Sequence, residues 1–190
     1  MSRLNSKQLV LDANLSLGSS NSRFNPQGMI HGDKRRNLLE AVREEGHIAV
    51  FNRQLRREWR EHGSDWGNRI WLREMDKKRQ TIDREGAEYT EVCDSASLAL
   101  VNKGERIALA KDFHLIQSAL ATGHIIVSEE RVFPRLVAQA GQAVMKLKEL
   151  YFANPSAEGE SCRLWVKAGA EMQPTRRIDV WAENFLARNN

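Results

Sequence analysis

The chain has 190 residues, a formal net charge of +4 and an isoelectric point near 9.3, which permits a nucleic-acid partner without requiring one. Hydrophobic residues make up 41% and charged residues 28%, which suits one soluble domain with a sizeable core. The sequence excludes a membrane-spanning helix, an apolar signal core and a disulfide framework, because apolar runs are short and Cys93 and Cys162 are the only cysteines. We expect a cytoplasmic protein with two free thiols.

Short apolar runs alternate with amphipathic stretches along the chain. The runs QLVLD, HIAVF and HIIVS have the length of buried strands, and Asn52 and Gly63 suit the two ends of one helix. In chain order, we predict a strand over 8–12, a loop over 16–29, a helix over 32–46, a strand over 47–51, a helix over 52–63, helical segments over 64–80 and 87–102, a helix over 111–123, a strand over 124–128, a helix over 134–147 and a strand over 149–155.

This alternation predicts an α/β fold with a mostly parallel sheet covered by helices on both faces. Residues 1–155 would form that domain, and residues 156–190 a C-terminal extension with an amphipathic helix. In this helix Ile178, Trp181 and Phe185 share a face. The helix either docks on its own domain or contacts a second subunit or an inhibitor protein.

Acidic residues fall at comparable places in this layout. Asp12 ends the first strand, Glu58 and Asp112 border the apolar stripes of two helices, and Glu129 and Glu130 follow the third strand. Ligands of parallel sheets bind outside the carboxyl ends of the strands. Clustered carboxylates repel unless a hard cation such as Mg²⁺ joins them, and one or two such ions support phosphoryl chemistry.

Each acid also has a simpler interpretation. Asp112 suits a helix N-cap, Glu58 an ion pair with a neighbouring arginine, and Asp12 an Asx turn. Glu129 and Glu130 are equally consistent with surface charges at the start of a turn or helix. The arginine-rich helices either present a solvated face or contact RNA phosphates, and three tryptophans either pack in the core or stack on bases: Trp59, Trp66 and Trp71.

The stretches LVLDANL, IAVFNRQLRREW and KDFHLIQSALATGHIIVSEERVF resemble, in this order, the PIN-domain ribonucleases, of which the VapC-type toxins are the best-known branch. The family pattern is Asp-x-Asn after the first strand, Glu after the second, an Asp that opens a helix with Ile, Ala and Gly further along it, and a final Thr-x-Asp-x-x-Phe. The resemblance covers roughly residues 8–155. The matching positions are Asp12 and Asn14, then Glu58, then Asp112, Ile116, Ala119 and Gly123, and last Ser128, Glu130 and Phe133.

The resemblance implies a three-layer α/β/α sandwich and an endoribonuclease that hydrolyses RNA phosphodiester bonds with Mg²⁺ or Mn²⁺. It implies that Asp12, Glu58, Asp112 and Glu130 form the catalytic metal-binding cluster. Asn14 and Ser128 would orient ligands or phosphate from around it. RNA is the implied substrate, and an antitoxin and a second copy of the chain are candidate protein partners.

The fourth acid departs from the family, because Glu130 stands where the pattern has Asp and reaches about one methylene further. Glu129 is the alternative for that position. The departure motivates a second hypothesis, a catalytically inactive PIN-like module that binds RNA or protein.

Overall fold

The computed structural model describes residues 6–17 and 26–189, and within them five strands form one parallel sheet. The strands are β1 (Gln8–Leu11), β2 (Ile48–Phe51), β3 (Thr81–Asp83), β4 (Ile125–Val127) and β5 (Tyr151–Ala153). Their spatial order is β3-β2-β1-β4-β5, so the order reverses between β1 and β4. Val10 on β1 lies opposite Val50 on one side and Ile126 on the other.

The central strand is buried on both faces of the sheet. Leu9, Val10 and Leu11 are fully buried, although successive residues of a strand point to opposite faces. Helices therefore cover both faces, as expected for an all-parallel sheet. The α/β prediction is confirmed at this level.

Ten α-helices cover or extend the sheet in the described residues. They are α1 (Pro26–Glu44), α2 (Arg53–His62), α3 (Arg73–Lys77), α4 (Thr90–Ala99), α5 (Lys103–Lys111), α6 (Phe113–Leu120), α7 (Val132–Ala140), α8 (Pro155–Glu158), α9 (Glu160–Lys167) and α10 (Ile178–Asn189). A π-helical segment, Trp66–Leu72, leads into α3, and 3₁₀ turns fill several connections.

Three sequence predictions need correction. The loop predicted over 16–29 is wrong at its end, because α1 begins at Pro26; residues 18–25 lie outside the described part. The helix predicted over 134–147 ends at Ala140 and is followed by a 3₁₀ segment, Met145–Glu149. The elements β3 and α5 were not predicted, since β3 is a three-residue edge strand without a fully buried residue.

Gly123 lets α6 return closely to the sheet. A Cβ atom at this position would lie 2.2 Å from the carbonyl oxygen of Gln8, at the start of β1. Glycine avoids that clash with backbone. The glycine that ends the third element of the family pattern therefore has a steric reason in this fold, because it lets the end of α6 approach β1 closely.

The C-terminal segment packs on the same hydrophobic core. Helix α9 contacts α1, and α10 lies along α7. The Trp181 ring meets Phe152 of β5 edge-on, with 4.8 Å between ring centroids. The terminal helix thus docks on its own domain, which is the first of the two alternatives.

Other expectations concern buried side chains. Cys93 and Cys162 are both free and buried, as predicted. Trp59, Trp66 and Trp71 are buried, so core packing is the correct interpretation. None of the described helices is long and apolar enough to cross a membrane.

Candidate active site

Asp12 lies at the carboxyl end of β1, where the strand order reverses. It is only 9% exposed, and its Oδ2 accepts hydrogen bonds from Ser128 Oγ at 2.6 Å and Asn14 Nδ2 at 2.8 Å. The backbone N–H of Asn14 donates to Oδ1 at 3.4 Å. The Asx-turn interpretation is therefore correct but incomplete, because Ser128 holds the same carboxylate from β4's end.

Asn14 and Ser128 connect the ends of β1 and β4. Asn14 Nδ2 donates to Ser128 Oγ at 3.1 Å, and the backbone N–H of Glu130 donates to the same hydroxyl at 3.0 Å. The backbone N–H of Glu129 donates to Asn14 Oδ1 at 3.3 Å. These hydrogen bonds join the Asp12 carboxylate to the backbone of Glu129 and Glu130, and every donor in the network is neutral.

Glu58 on α2 is held by two side chains rather than by an arginine. Gln54 Nε2 donates to Glu58 Oε1 at 2.9 Å, and His114 Nε2 lies 3.3 Å from Glu58 Oε2. The other ring nitrogen, Nδ1, lies 3.0 Å from the carbonyl oxygen of Lys111. The ring therefore lies between Glu58 and the start of α6.

The hydrogen bonds to Glu58 decide its protonation. Burial disfavours its charged form, but the hydrogen bonds from His114 and Gln54 outweigh burial and lower its pKa. Glu58 is therefore ionised in the neutral range. In the part of the chain that the structure describes, Glu58 pairs with His114 and with no arginine, so the alternative of an arginine partner is wrong.

Two further side chains anchor α2 over the site. Asn52 Nδ2 donates to the His114 carbonyl at 2.9 Å and to Ser118 Oγ at 2.7 Å, while its Oδ1 caps α2 through Leu55 N–H at 2.7 Å. Trp59 Nε1 donates to the Leu11 carbonyl, one residue before Asp12, at 2.9 Å. These buried contacts join α2 to both α6 and β1.

Asp112 precedes α6 and makes no capping hydrogen bond with its side chain, so the N-cap interpretation does not explain it. Its pKa is raised from 3.8 to about 7. Burial is the largest cause, followed by repulsion from Asp12, with smaller contributions from Glu130 and Glu58, while His114 opposes the rise. The structure thus brings Asp112 within electrostatic range of the other three predicted acids.

Asp12 has a raised pKa as well. Burial is again the largest cause and exceeds the opposing hydrogen bonds from Ser128 and Asn14. The charge of His114 also opposes the rise, whereas Glu130 contributes to it. Burial disfavours the charged form of a carboxyl group, and neutral hydrogen-bond donors offset this only in part, so the pKa of the group rises.

The two consecutive glutamates have different surroundings. Glu129 pairs with Arg35 and accepts a hydrogen bond from Ser156 Oγ. Glu130 has no ion pair among the described residues, and it repels Asp12 and Asp112. Of the two candidates for the fourth acid, Glu130 is the one that faces the cluster electrostatically.

Comparison of the chain with protein-family models, with curated proteins and with solved structures gives no match.

The carboxylates offer oxygen ligands of the kind that Mg²⁺ and Mn²⁺ prefer. Among the described ion pairs, none involves Asp12, Asp112 or Glu130. The described residues contain no group of three or more His, Cys, Asp or Glu side chains already close enough to hold a metal ion. The carboxylate oxygens suit a hard cation by their chemistry, although they do not yet converge on one point.

A cleft of about 260 Å³ opens beside Asp112 and Glu130. A water molecule occupies about 30 Å³ in the liquid, so the cleft has room for several waters or a phosphate group. It is lined by Ala108, Lys111, Asp112, Glu130, Val132, Phe133 and Leu136. The exposed Lys111 places one cation next to the acids.

Sequence reasoning missed His114, Asn52 and Gln54 as part of the site. His114 follows Asp112 by two residues, and this position was the only sign in the sequence that it belongs to the site. The arginines of α1 and α2 are mostly paired with carboxylates, which favours their interpretation as solvated faces: Arg36 with Glu40, Arg43 with Glu74, and Arg56 with Asp83. Contact with RNA phosphates stays a prediction for those helices.

Proposed function

We propose that the protein is a metal-dependent endoribonuclease of the PIN-domain type, which hydrolyses RNA phosphodiester bonds. One observation carries the proposal: Asp12, Glu58, Asp112 and Glu130 come from four separate parts of the chain and interact electrostatically at the reversal point of the sheet. Perturbed carboxylates at such a point are typical of functional sites.

The residues divide into two groups by their contacts. Asp12, Asp112, Glu130 and Glu58 would hold Mg²⁺ or Mn²⁺, and the ion would supply a hydroxide nucleophile and stabilise charge on the phosphate. Ser128 and Asn14 orient the Asp12 carboxylate through their hydrogen bonds. His114 and Gln54 orient Glu58 and keep it ionised.

The cleft supplies the remaining groups for a phosphate. Lys111 lies at its edge, and the apolar side chains of Phe133 and Leu136 form part of its wall. A lysine beside clustered acids gives the substrate phosphate a favourable contact in a site that otherwise repels it. We also propose a cytoplasmic location, which the two free cysteines fit.

The test compares Asp12→Asn and Asp112→Asn with Asp65→Asn, a matched change of an exposed aspartate whose side chain is 84% accessible. We expect the purified protein and the Asp65 variant to cleave single-stranded RNA with Mn²⁺. Both site variants should lose cleavage by about 100-fold or more and bind Mn²⁺ more weakly by calorimetry. Unchanged cleavage by Asp12→Asn, with Mn²⁺ affinity also unchanged, would reject the assignment.

A second candidate is a PIN-like module that binds RNA or protein without turnover. The engagement of Glu58 by His114 and Gln54 favours it, because that carboxylate already has two partners. This candidate predicts RNA binding with no cleavage in Mg²⁺ or Mn²⁺ and no heat of Mn²⁺ binding. A toxin restrained by an antitoxin is the setting that the first candidate suggests, and growth arrest on expression, relieved by Asp12→Asn, would support it.

A further inference from the structure

Glu129 is the more buried of the two consecutive glutamates, and the proposed function gives it no role. Its side chain is only 10% exposed. Both oxygens of its carboxylate have a partner, because Oε1 accepts a hydrogen bond from Ser156 Oγ and Oε2 forms an ion pair with Arg35 Nη2. Glu129 therefore brings two other side chains to the position directly before Glu130, a member of the acidic cluster.

The two partners of Glu129 come from separate parts of the fold. Arg35 lies on α1, and Ser156 lies on α8, the first helix after the strand β5. Helix α1 also contacts α8 directly. The Glu129 side chain thus joins the loop after β4 to a helix of the main domain and to the C-terminal segment, which the family resemblance leaves unexplained.

Arg35 reaches the turn after β1 as well. Its Nη1 donates a hydrogen bond to the Leu17 carbonyl, while its Nη2 pairs with Glu129. The Leu17 N–H donates to the Asn14 carbonyl at 3.2 Å, so Leu17 belongs to the same turn as Asn14. A single guanidinium therefore connects the turn after β1 with the loop after β4, and each of these contributes acids to the cluster.

Hydrogen bonds continue from Glu129 to the acidic cluster. The backbone N–H of Glu129 donates to Asn14 Oδ1 at 3.3 Å, and Asn14 Nδ2 donates to Asp12 Oδ2 at 2.8 Å. Because the first contact needs the oxygen of the amide and the second needs its nitrogen, the Asn14 side chain satisfies both in one orientation only. Every step from Arg35 to Asp12 is thus a direct contact, and the position of the Glu129 backbone affects the orientation of the Asp12 carboxylate.

The pair of Arg35 and Glu129 lies largely out of the solvent. The two side chains are 21% and 10% exposed, so water and salt screen their attraction only weakly. The planar guanidinium offers donors in a fixed fork, which suits two acceptors on different segments, whereas a lysine ammonium offers a point charge. We therefore expect this contact to constrain the two loops more than an exposed ion pair would.

We propose that Arg35, Glu129 and Ser156 form a clasp that positions the acidic cluster without belonging to it. The clasp fixes the loop after β4 against the turn after β1, so the backbone of Glu129 and Glu130 and the Asn14 amide keep their places. The effect of the clasp on metal binding rests on the proposed function, whereas the clasp itself rests on the contacts. Arg35 and Glu129 are positioning residues, and Ser156 gives the C-terminal segment a part in the site.

Electrostatics and positioning predict opposite effects for the loss of Arg35. If the arginine acted only through its charge, Arg35→Met would strengthen the binding of a cation to the neighbouring carboxylates. If the arginine positions the two loops, the same change should weaken cation binding, because the loops spend less time where their carboxylates can reach one ion. The sign of the change therefore separates the two roles.

The first measurement is amide hydrogen exchange by NMR in EDTA, which needs neither metal nor RNA. Arg35→Met should speed exchange of the Glu129 and Glu130 amides by about tenfold or more, because both amides then open locally. The amide of Ala49 is the internal reference, since it donates to the Gln80 carbonyl at 2.8 Å within the sheet. Its exchange should stay as slow as in the unchanged protein.

Three further variants complete this measurement. Arg36→Met is the matched control, because it removes the same charge one position along α1, where Arg36 pairs with Glu40 at 3.2 Å, and it should leave both amides unchanged. Arg35→Lys keeps the charge without the fork and should fall between Arg35→Met and the unchanged protein. Ser156→Ala should have a smaller effect than Arg35→Met, because it removes only one hydrogen bond to Glu129.

The second measurement is Mn²⁺ binding by calorimetry. Arg35→Met should weaken binding by about fivefold or more, whereas Arg36→Met should change the affinity by less than about twofold. Arg35→Lys should recover part of the loss. Glu129→Gln is a milder change than Arg35→Met, because it keeps an accepting oxygen and the backbone N–H that contacts Asn14.

The outcomes separate the clasp from the proposed function. The clasp is overturned, even where Mn²⁺-dependent cleavage is found, if Arg35→Met leaves the exchange of the Glu129 and Glu130 amides unchanged or speeds exchange at Ala49 to the same extent. Mn²⁺ affinity that is equal or higher in Arg35→Met also overturns it. If only the two loop amides exchange faster in Arg35→Met, and no form of the protein binds Mn²⁺, the clasp stands and the proposal of a metal-dependent nuclease fails.

Discussion

Two regions of this molecule contain buried carboxylates, and the two sets differ in the partners that surround them. In the C-terminal region, Glu158 receives Arg176 at 2.7 Å, the indole N–H of Trp181 at 2.8 Å and the backbone N–H of Asn154 at 2.9 Å. At the carboxyl edge of the sheet, Asp12 receives only the neutral donors of Ser128 and Asn14. Asp112, beside it, has a pKa raised to about 7.

The difference shows which carboxylate serves the structure itself. A buried charge is stable when a partner charge and hydrogen bonds surround it, as they surround Glu158. The cluster at the sheet edge has no arginine partner among the described ion pairs, and burial and mutual repulsion raise the pKa of Asp12 and Asp112. Its charge is balanced by protons or by a bound cation, and this is why the proposed metal ion is assigned to this cluster and not to Glu158.

The largest expected effect comes from breaking the paired region. Arg176→Met leaves the Glu158 charge buried without its partner, because the two side chains are only 10% and 14% exposed. We expect a loss of about 3–5 kcal/mol in the free energy of unfolding, measured with urea. The double variant Arg176→Met with Glu158→Gln should recover much of that loss.

Asp112→Asn is the matched change in the unpaired region, and it should not destabilise the protein at neutral pH, since it removes a repelled carboxylate. Equal destabilisation by Arg176→Met and Asp112→Asn would contradict the distinction between the two regions.

The next effect is on pH dependence. The pKa of Asp112 is about 7 in the folded state, whereas its ordinary value is 3.8, so between these pH values the folded state holds a proton that the unfolded state releases. The stabilisation from this proton is full below about pH 4 and is lost as pH rises through 7, so the free energy of unfolding should fall by up to about 4 kcal/mol. Asp112→Asn should flatten this part of the profile, measured with urea in EDTA.

Divalent ions should act in the opposite direction. Under the proposed function Mn²⁺ would bind the ionised carboxylates, so it should raise the thermal unfolding temperature more at pH 8 than at pH 5. A free energy of unfolding that changes between pH 4 and 7 to the same extent in Asp112→Asn and in the unchanged protein would show that Asp112 does not carry this proton.

The smallest effects should separate the two consecutive glutamates. Glu130→Gln should lower Mn²⁺ affinity by about tenfold, because it removes a charge from the cluster. Glu129→Gln should leave Mn²⁺ affinity nearly unchanged and reduce stability by about 1 kcal/mol, because Arg35 loses its partner. Calorimetry and urea unfolding on the two variants measure both quantities, and the reverse pattern would make Glu129 the fourth acid.

Sequence patterns predicted the central part of the site for identifiable reasons. The run before Asp12 is continuous and apolar, so its strand and the position of Asp12 at the strand's end follow directly. The stripe of Leu115, Ile116 and Ala119 likewise fixes which face of α6 is buried, and hence where Asp112 lies. Local periodicity was sufficient for these elements.

The remaining features depend on contacts between distant residues, which periodicity does not encode. His114 contacts Glu58, 56 positions earlier, and Asn52 reaches Ser118, 66 positions later. Arg35 forms an ion pair with Glu129, far away in the sequence, and no spacing in the sequence indicated this. The strand β3 pairs only at the sheet edge and has too few buried residues to give a pattern.

The position of β1 has a consequence for synthesis of the chain. Asp12 is translated 116 residues before Ser128, whose hydroxyl donates a hydrogen bond to it. A ribosome carrying an unfinished polypeptide therefore displays no assembled pocket, whichever of its acids have already emerged. Any hydrolytic power that the protein has begins only when β4 inserts beside β1, so the order of translation itself delays its onset.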